Sequence, residues 1–70
     1  MRYLEISRKL RVLGCVEVAR RSGGSHRKWL NPDLDKSTTI PDWGNKDLKF
    51  GTLRAVVRQL GLAWQEFEQA

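Results

Sequence analysis

One stretch, GTLRAVVRQLG at residues 51–61, constrains the fold of this chain more than any other. Its apolar residues recur at i, i+3, i+4 and i+7, the spacing of one face of an α-helix. They are Leu53, Val56, Val57 and Leu60, and Gly61 follows where a helix end favours a residue that tolerates positive φ. Because this stripe must be buried against another element, the rest of a 70-residue chain has to supply a small partner surface.

A second helical pattern lies near the start of the chain. Tyr3, Ile6, Leu10 and Leu13 recur at helical spacing, and Gly14 follows at the position of a helix end. The last residues, LAWQEFEQA, predict one short closing helix whose apolar side chains fold back on the core. The candidates for that contact are Leu62, Trp64 and Phe67.

Between the helices, three segments read as strands. CVEVAR alternates, with Val16 and Val18 on one face and Glu17 on the other, and the SGG turn joins residues 15–20 to about 25–30 as a hairpin. The sequence NPDLD supplies a second turn, and the β-branched KSTTI, which stops at a proline, predicts the third strand. We therefore expect one α+β domain over residues 1–70, with helices on one face of a three-stranded antiparallel sheet and the other face open.

Charge indicates the class of partner. The formal net charge is +5, and eight of the 13 basic but only two of the 8 acidic side chains lie within residues 1–28. A concentrated positive surface favours a polyanion, because neutralised phosphates release counterions. The alternative is ordinary surface charge that keeps the protein soluble.

Several classes of site and location are disfavoured by composition. Cys15 is the only cysteine, so it cannot form an internal disulfide, and with one histidine the chain lacks the four ligands of a structural zinc site. We expect Cys15 to be a buried small side chain, and we expect no metal and no cofactor. No run is apolar enough for a signal peptide or a membrane span, so the sequence predicts a cytoplasmic domain with no membrane partner.

The segment SGGSHRKW at residues 22–29 holds the only imidazole of the chain, His26. It follows two glycines, precedes Arg27 and Lys28, and faces Arg20 and Arg21 across the predicted hairpin. These cations can hold a phosphodiester beside an imidazole, which transfers protons near neutral pH. The alternative is a structural or surface histidine with solvated neighbours.

For several other residues the sequence allows two interpretations, one functional and one structural. Lys46 and Lys49 precede the second main helix, whose first N–H groups at Gly51 and Thr52 could receive an anion, although Thr52 and its neighbours could simply cap the helix. Trp29 could stack on a base, but strand alternation places it opposite His26, which favours the core.

Trp43, beside Gly44 in a polar loop, could be a surface residue or could face a partner.

Three motifs in order carry a family resemblance: GSH at residues 24–26, TTIP at 38–41 and LKFGTLRAVVRQLGL at 48–62. Together they resemble the HicA family of bacterial toxins, small mRNA interferases of type II toxin–antitoxin systems. The resemblance implies an α-β-β-β-α fold similar to a double-stranded-RNA-binding domain, endonucleolytic cleavage of mRNA, and a HicB antitoxin as partner. It also implies that His26 of the GSH signature is catalytic, with Gly24 and Ser25 at the RNA. Many relatives continue with another histidine, whereas this chain reads RKW.

With one histidine, we hypothesise that His26 takes the proton of the RNA 2′-hydroxyl while Arg or Lys stabilises the developing charge. A non-catalytic RNA-binding module would explain the charge and the fold but would give His26 no task. A DNA-binding helix-turn-helix is disfavoured, because the helix that would read DNA carries Glu66 and Glu68 and no basic residue. We expect no DNA contact by this chain.

Overall fold

Two helices flank a run of three strands, and a short helix closes the chain. The computed structural model describes residues 1–19 and 25–70. Its elements are α1 (Tyr3–Val12), β1 (Val16–Glu17), β2 (His26–Asn31), β3 (Lys36–Pro41), α2 (Phe50–Gln59) and α3 (Trp64–Gln69). This order confirms the predicted α+β fold. In the part of the chain that the structure describes, no helix has the length and apolar character needed to cross a membrane.

The three strands form one antiparallel sheet in the order β1-β2-β3. Strand β2 is central: Leu30 pairs with Val16 on one side, and His26 pairs with Pro41 on the other. β1 is shorter than the predicted 15–20, although the Val18 N–H still donates to the Lys28 carbonyl at 2.9 Å. The SGG turn that was predicted to join β1 to β2 lies outside the described residues, as do Arg20 and Arg21.

The core lies between the helices and one face of the sheet. Its buried apolar residues come from all three helices, from β2 and β3, and from the segments beside them: Tyr3, Ile6, Leu10, Cys15, Trp29, Ile40, Leu48, Leu53, Val56, Val57, Leu60 and Phe67. The predicted stripe of α2 is thus confirmed as core, and Phe67 rather than Trp64 is the fully buried residue of α3. Trp29 is 0% exposed, which decides between its two readings in favour of the core.

Both predicted helix ends have the expected backbone. Gly14 has φ +89° and Gly61 has φ +74°, the left-handed region that favours glycine. At Gly61 an added Cβ would also lie 2.6 Å from Leu34 Cδ1, so the Leu34 side chain would have to move aside. The buried Asn31 side chain donates to the Leu60 carbonyl at 2.7 Å and so ties β2 to the end of α2.

A buried hydrogen-bond chain joins α1 to the first two strands. The Tyr3 hydroxyl accepts from Trp29 Nε1–H at 3.0 Å and donates to Glu17 Oε1 at 2.8 Å. Burial raises the pKa of Tyr3 to about 12, against the opposing effect of the Trp29 hydrogen bond. The hydroxyl therefore stays neutral and satisfies a tryptophan donor that would otherwise be buried without a partner.

We expect Tyr3→Phe to lower the free energy of unfolding by about 1–3 kcal/mol, because it leaves the Trp29 N–H without an acceptor. Urea denaturation of the native chain and the variant measures this difference. Ser7→Ala is the matched control: it removes a buried hydroxyl whose bond, to the Leu4 carbonyl at 2.9 Å, lies within α1. A Tyr3→Phe protein as stable as Ser7→Ala would contradict this account of the hydrogen-bond chain.

Candidate functional site

His26 is the first residue of β2 and is exposed to solvent. Its pairing partner Pro41 is the last residue of β3, and just beyond this pair the Asp42 N–H donates to the Ser25 carbonyl. The backbone around the imidazole is therefore fixed by pairing on one side. Gly24, the first residue of the GSH signature, lies outside the described residues.

Side chains alternate along β2, and this alternation sorts the predicted site residues onto two faces. His26 and Lys28 lie on the face that no described helix covers, where Lys28 is exposed and pairs with the exposed Thr39. Arg27 and the buried Trp29 lie on the core face. The open face thus presents an imidazole and an ammonium group two residues apart on one strand.

Arg27 was predicted as a phosphate ligand, but its guanidinium is engaged with two carboxylates. Arg27 Nε lies 2.8 Å from Asp42 Oδ2 and Arg27 Nη1 lies 3.1 Å from Glu17 Oε2. The guanidinium also lies 5.4 Å from the centre of the Tyr3 ring. Hydrogen bonds to Glu17 and Asp42 raise the pKa of Arg27 above its ordinary value. This geometry fits a residue that fastens β2 to its neighbours.

Glu17 is the acidic centre of this cluster, and its side chain is 22% exposed. Burial alone would raise the pKa of Glu17, but the hydrogen bonds from Tyr3 and Arg27, with the charges of Arg27 and Arg11, together outweigh burial and leave the pKa lowered. The carboxylate is therefore ionised in the folded protein at neutral pH, and it joins α1, β1 and β2 through hydrogen bonds.

A turn after β3 carries two further side chains beside the histidine end of the sheet. The Gly44 N–H donates to Asp42 Oδ1 at 3.1 Å, and the Lys46 N–H donates to the Trp43 carbonyl at 3.2 Å. Asp42, Trp43 and Lys46 line a cleft of about 450 Å³. Sequence reasoning missed the role of Asp42, although an aspartate two residues before a glycine is a common turn signal.

The remaining predicted contacts lie at the start of α2. Lys49 is the N-cap residue with extended backbone and no side-chain hydrogen bond, and Thr52 is the third residue of the helix. The cap position is therefore held by Lys49 and not by Thr52 itself, and the assignment of Thr52 as an RNA contact stays a prediction. Lys46 and Lys49 are both exposed.

The possible metal ligands and the single thiol were located in the described residues. Within residues 1–19 and 25–70, no three His, Cys, Asp or Glu side chains are grouped so that they could hold a metal ion. Cys15 is buried at 2% exposure, as predicted, and burial raises the pKa of its thiol, with a further contribution from the Asp33 carboxylate.

Arg27 and Lys28 are neighbours on one strand and allow a matched test of the two faces. We expect Arg27→Met to lower the urea midpoint of unfolding, because it leaves the Glu17 and Asp42 carboxylates without their shared cation. Lys28→Met removes the same charge from the open face and should leave the midpoint unchanged. Equal midpoints for the two variants would show that Arg27 has no structural role.

The lowered pKa of Glu17 predicts a loss of stability in acid. A carboxylate whose pKa is lowered by folding binds its proton less readily in the folded state, so the stabilisation is present above the ordinary glutamate pKa of about 4.3 and is lost as the pH falls below it. We expect Glu17→Gln to be less stable at neutral pH and to lose less stability between pH 6 and pH 2, as followed by thermal unfolding. Glu68→Gln, at an exposed carboxylate of α3, is the control. The expectation fails if Glu17→Gln and the native chain lose stability in parallel.

Comparison with known proteins identifies the family of the chain. Residues 4–62 match the family model described as the HicA toxin of bacterial toxin–antitoxin systems. The chain is 39% identical over 62 residues to a Pseudomonas fluorescens (strain Pf0-1) protein named "Probable mRNA interferase HicA", covering 89% of this chain and 97% of that protein. No solved structure gives a significant match. Because the family model spans both main helices and all three strands, the chain belongs to the HicA toxin family.

Proposed function

We propose that this protein is an endoribonuclease that cleaves mRNA, the toxin of a HicA/HicB-type pair, and that His26 is its catalytic residue. The observation that carries the proposal is the exposed imidazole on the uncovered sheet face, two residues from an exposed lysine, in a chain of the HicA toxin family. The name of the relative, a probable mRNA interferase, supports the substrate class.

In the proposed reaction His26 accepts the proton of a 2′-hydroxyl group as its oxygen attacks the adjacent phosphorus. The new bond joins the 2′-oxygen to phosphorus, and the bond from phosphorus to the 5′-oxygen breaks. The products are a 2′,3′-cyclic phosphate and a 5′-hydroxyl, whose proton comes from water or from a lysine. The nucleophile belongs to the substrate itself, so the step requires a base but no metal ion.

Charge on the phosphate rises in the transition state, and exposed ammonium groups can stabilise it. Lys28 shares the open face with His26. Lys46 lies in the turn that begins at Asp42, whose backbone N–H donates a hydrogen bond to the Ser25 carbonyl. We assign phosphate binding to these two lysines, with Ser25 beside them and Lys49 farther along the substrate. Arg27 is assigned a positioning role, because both of its carboxylate partners hold it on the core face.

The proposed partner is a HicB-like antitoxin that covers the open face. A toxin with a formal charge of +5 and an uncovered basic face would bind RNA indiscriminately. An antitoxin with acidic or apolar complementarity would mask that face and would do so at a high association rate. We place this pair in the cytoplasm, where mRNA is available.

We expect His26→Ala to lower the single-turnover rate of RNA cleavage by about 10²- to 10⁴-fold, the usual contribution of a general acid or base. The measurement uses a labelled oligoribonucleotide with chelator present, and product analysis identifies the cyclic phosphate. Because His26 is exposed at a strand end, circular dichroism of the variant should match that of the native chain.

Two further arms separate catalysis from binding. Lys28→Met should weaken RNA binding more strongly at low salt than at high salt. A substrate with a single 2′-deoxy sugar at the cleavage position should bind and remain intact. Cleavage by His26→Ala at the native rate would refute the assignment of the base. If the native chain binds RNA tightly but does not cleave it, the protein is a non-catalytic RNA-binding module instead.

A further inference from the structure

Trp43 is an exposed aromatic side chain with no part in the reaction described above, and it lines the same cleft as Lys46. It is 43% exposed, and with Asp42 and Lys46 it lines a cavity of about 450 Å³. Cavities of about 300–1,000 Å³ accommodate small organic ligands, so this cleft has room for a nucleobase with part of its sugar. Single exposed apolar side chains are common on protein surfaces, so the significance of this one lies in its place, in a cleft beside a cation.

The turn that carries Trp43 is held from both sides. Asp42 accepts hydrogen bonds from Arg27 and from the Gly44 N–H, and Gly44 has φ +62°, which a side chain would disfavour. Farther on, the Leu48 N–H donates to the Met1 carbonyl at 3.0 Å. Trp43 thus sits on a backbone ordered by polar contacts, although its own ring is not packed in the core. A side chain on an ordered backbone loses less entropy when a ligand stacks on it than one on a mobile loop.

The cleft lies beside the proposed catalytic residue. Pro41 pairs with His26, and Trp43 follows Pro41 by two residues. Cα atoms of neighbouring residues are about 3.8 Å apart and those of paired residues about 5 Å apart, so the Cα atoms of His26 and Trp43 lie within about 13 Å of each other. Both side chains extend several ångströms from these atoms. This upper bound on the Cα separation is short enough for one RNA strand to extend from His26 to the cleft.

The chemistry of the cleft favours a base over an apolar protein side chain. Around Trp43 the turn is polar, with Gly44 and Asn45 exposed and the ammonium of Lys46 available to an adjacent phosphate. The charge of Asp42 is offset by Arg27, with which it shares a hydrogen bond of 2.8 Å. A lone aromatic face beside a cation is the usual arrangement for holding single-stranded RNA, whereas protein hot spots need a dry apolar surround.

We propose that Trp43 is a nucleobase-stacking platform that holds a base of single-stranded RNA next to the scissile phosphate, with Lys46 on the neighbouring phosphate. The proposal rests on the proposed function and deepens it by assigning a substrate subsite. Stacking on an indole tolerates every base, because each base has a π-face, so the subsite accepts more than one kind of base. Trp43 is a binding residue in this scheme and takes no part in proton transfer.

The test uses a single-stranded 2′-O-methyl oligoribonucleotide, which the 2′-hydroxyl chemistry cannot cleave, so binding is measured independently of catalysis. We expect Trp43→Ala to raise the Kd at least about fivefold, because removing an aromatic platform typically weakens binding by about 5- to 150-fold. Trp43→Phe keeps an aromatic face and should restore the Kd to within about twofold of the native value. Leu34→Ala, at an exposed apolar side chain at the opposite end of the β2–β3 hairpin, should bind as the native chain does.

An unchanged Kd for Trp43→Ala would overturn the proposal, and so would a Trp43→Phe variant as weak as Trp43→Ala. Loss of affinity for the antitoxin with unchanged RNA binding would also overturn it, because the cleft would then serve a protein. Failure of the proposed function looks different: His26→Ala would cleave normally while the Trp43 variants still lost affinity for the uncleavable oligonucleotide.

Discussion

Burial of Trp29 fixes the orientation of the central strand, and the rest of the molecule follows from it. The indole is fully buried, and its N–H is satisfied by Tyr3 of α1. Because side chains alternate along a strand, Trp29 pointing inward places Arg27 inward as well and leaves His26 and Lys28 on the uncovered face. A shift of the β2 register by one residue would expose the Trp29 indole and bury the His26 imidazole. Packing of the core therefore sets the register of β2, and this register in turn fixes which side chains lie at the site.

The same alternation divides the cations of the hairpin between two roles. Arg27 faces the core side, where Glu17 and Asp42 give it charged partners and where its loss would remove the cation that these two carboxylates share. Through Asp42 this cluster also contacts the turn that carries Trp43, so the packing of β2 reaches the cleft beside His26. Lys28 has no carboxylate partner among the described contacts, so its ammonium group is available to a phosphate. Stability and substrate binding are thus carried by adjacent residues of one strand.

Local patterns predicted most of the fold. Each of the confirmed features depends on residues close in sequence. They are the apolar stripe of α2, the glycines at the two helix ends, the end of β3 at Pro41 and the inward direction of Trp29. The partners of Arg27 could not be predicted this way, because Glu17 and Asp42 lie 10 and 15 residues away and meet it only after the sheet has paired. For the same reason Arg27 and Lys28 were both predicted to bind phosphate, whereas the paired sheet places their side chains on opposite faces.

Chemical rescue tests most directly whether His26 supplies the base. In His26→Gly the space of the imidazole is empty, and free imidazole added to the solution can occupy it. The account predicts that this variant binds RNA with native affinity, cleaves it very slowly, and regains cleavage in proportion to added imidazole, with the same cyclic phosphate product. Two results would contradict the account. One is cleavage by His26→Gly at the native rate without imidazole, and the other is a His26→Gly protein that binds RNA normally but does not regain cleavage when imidazole is added.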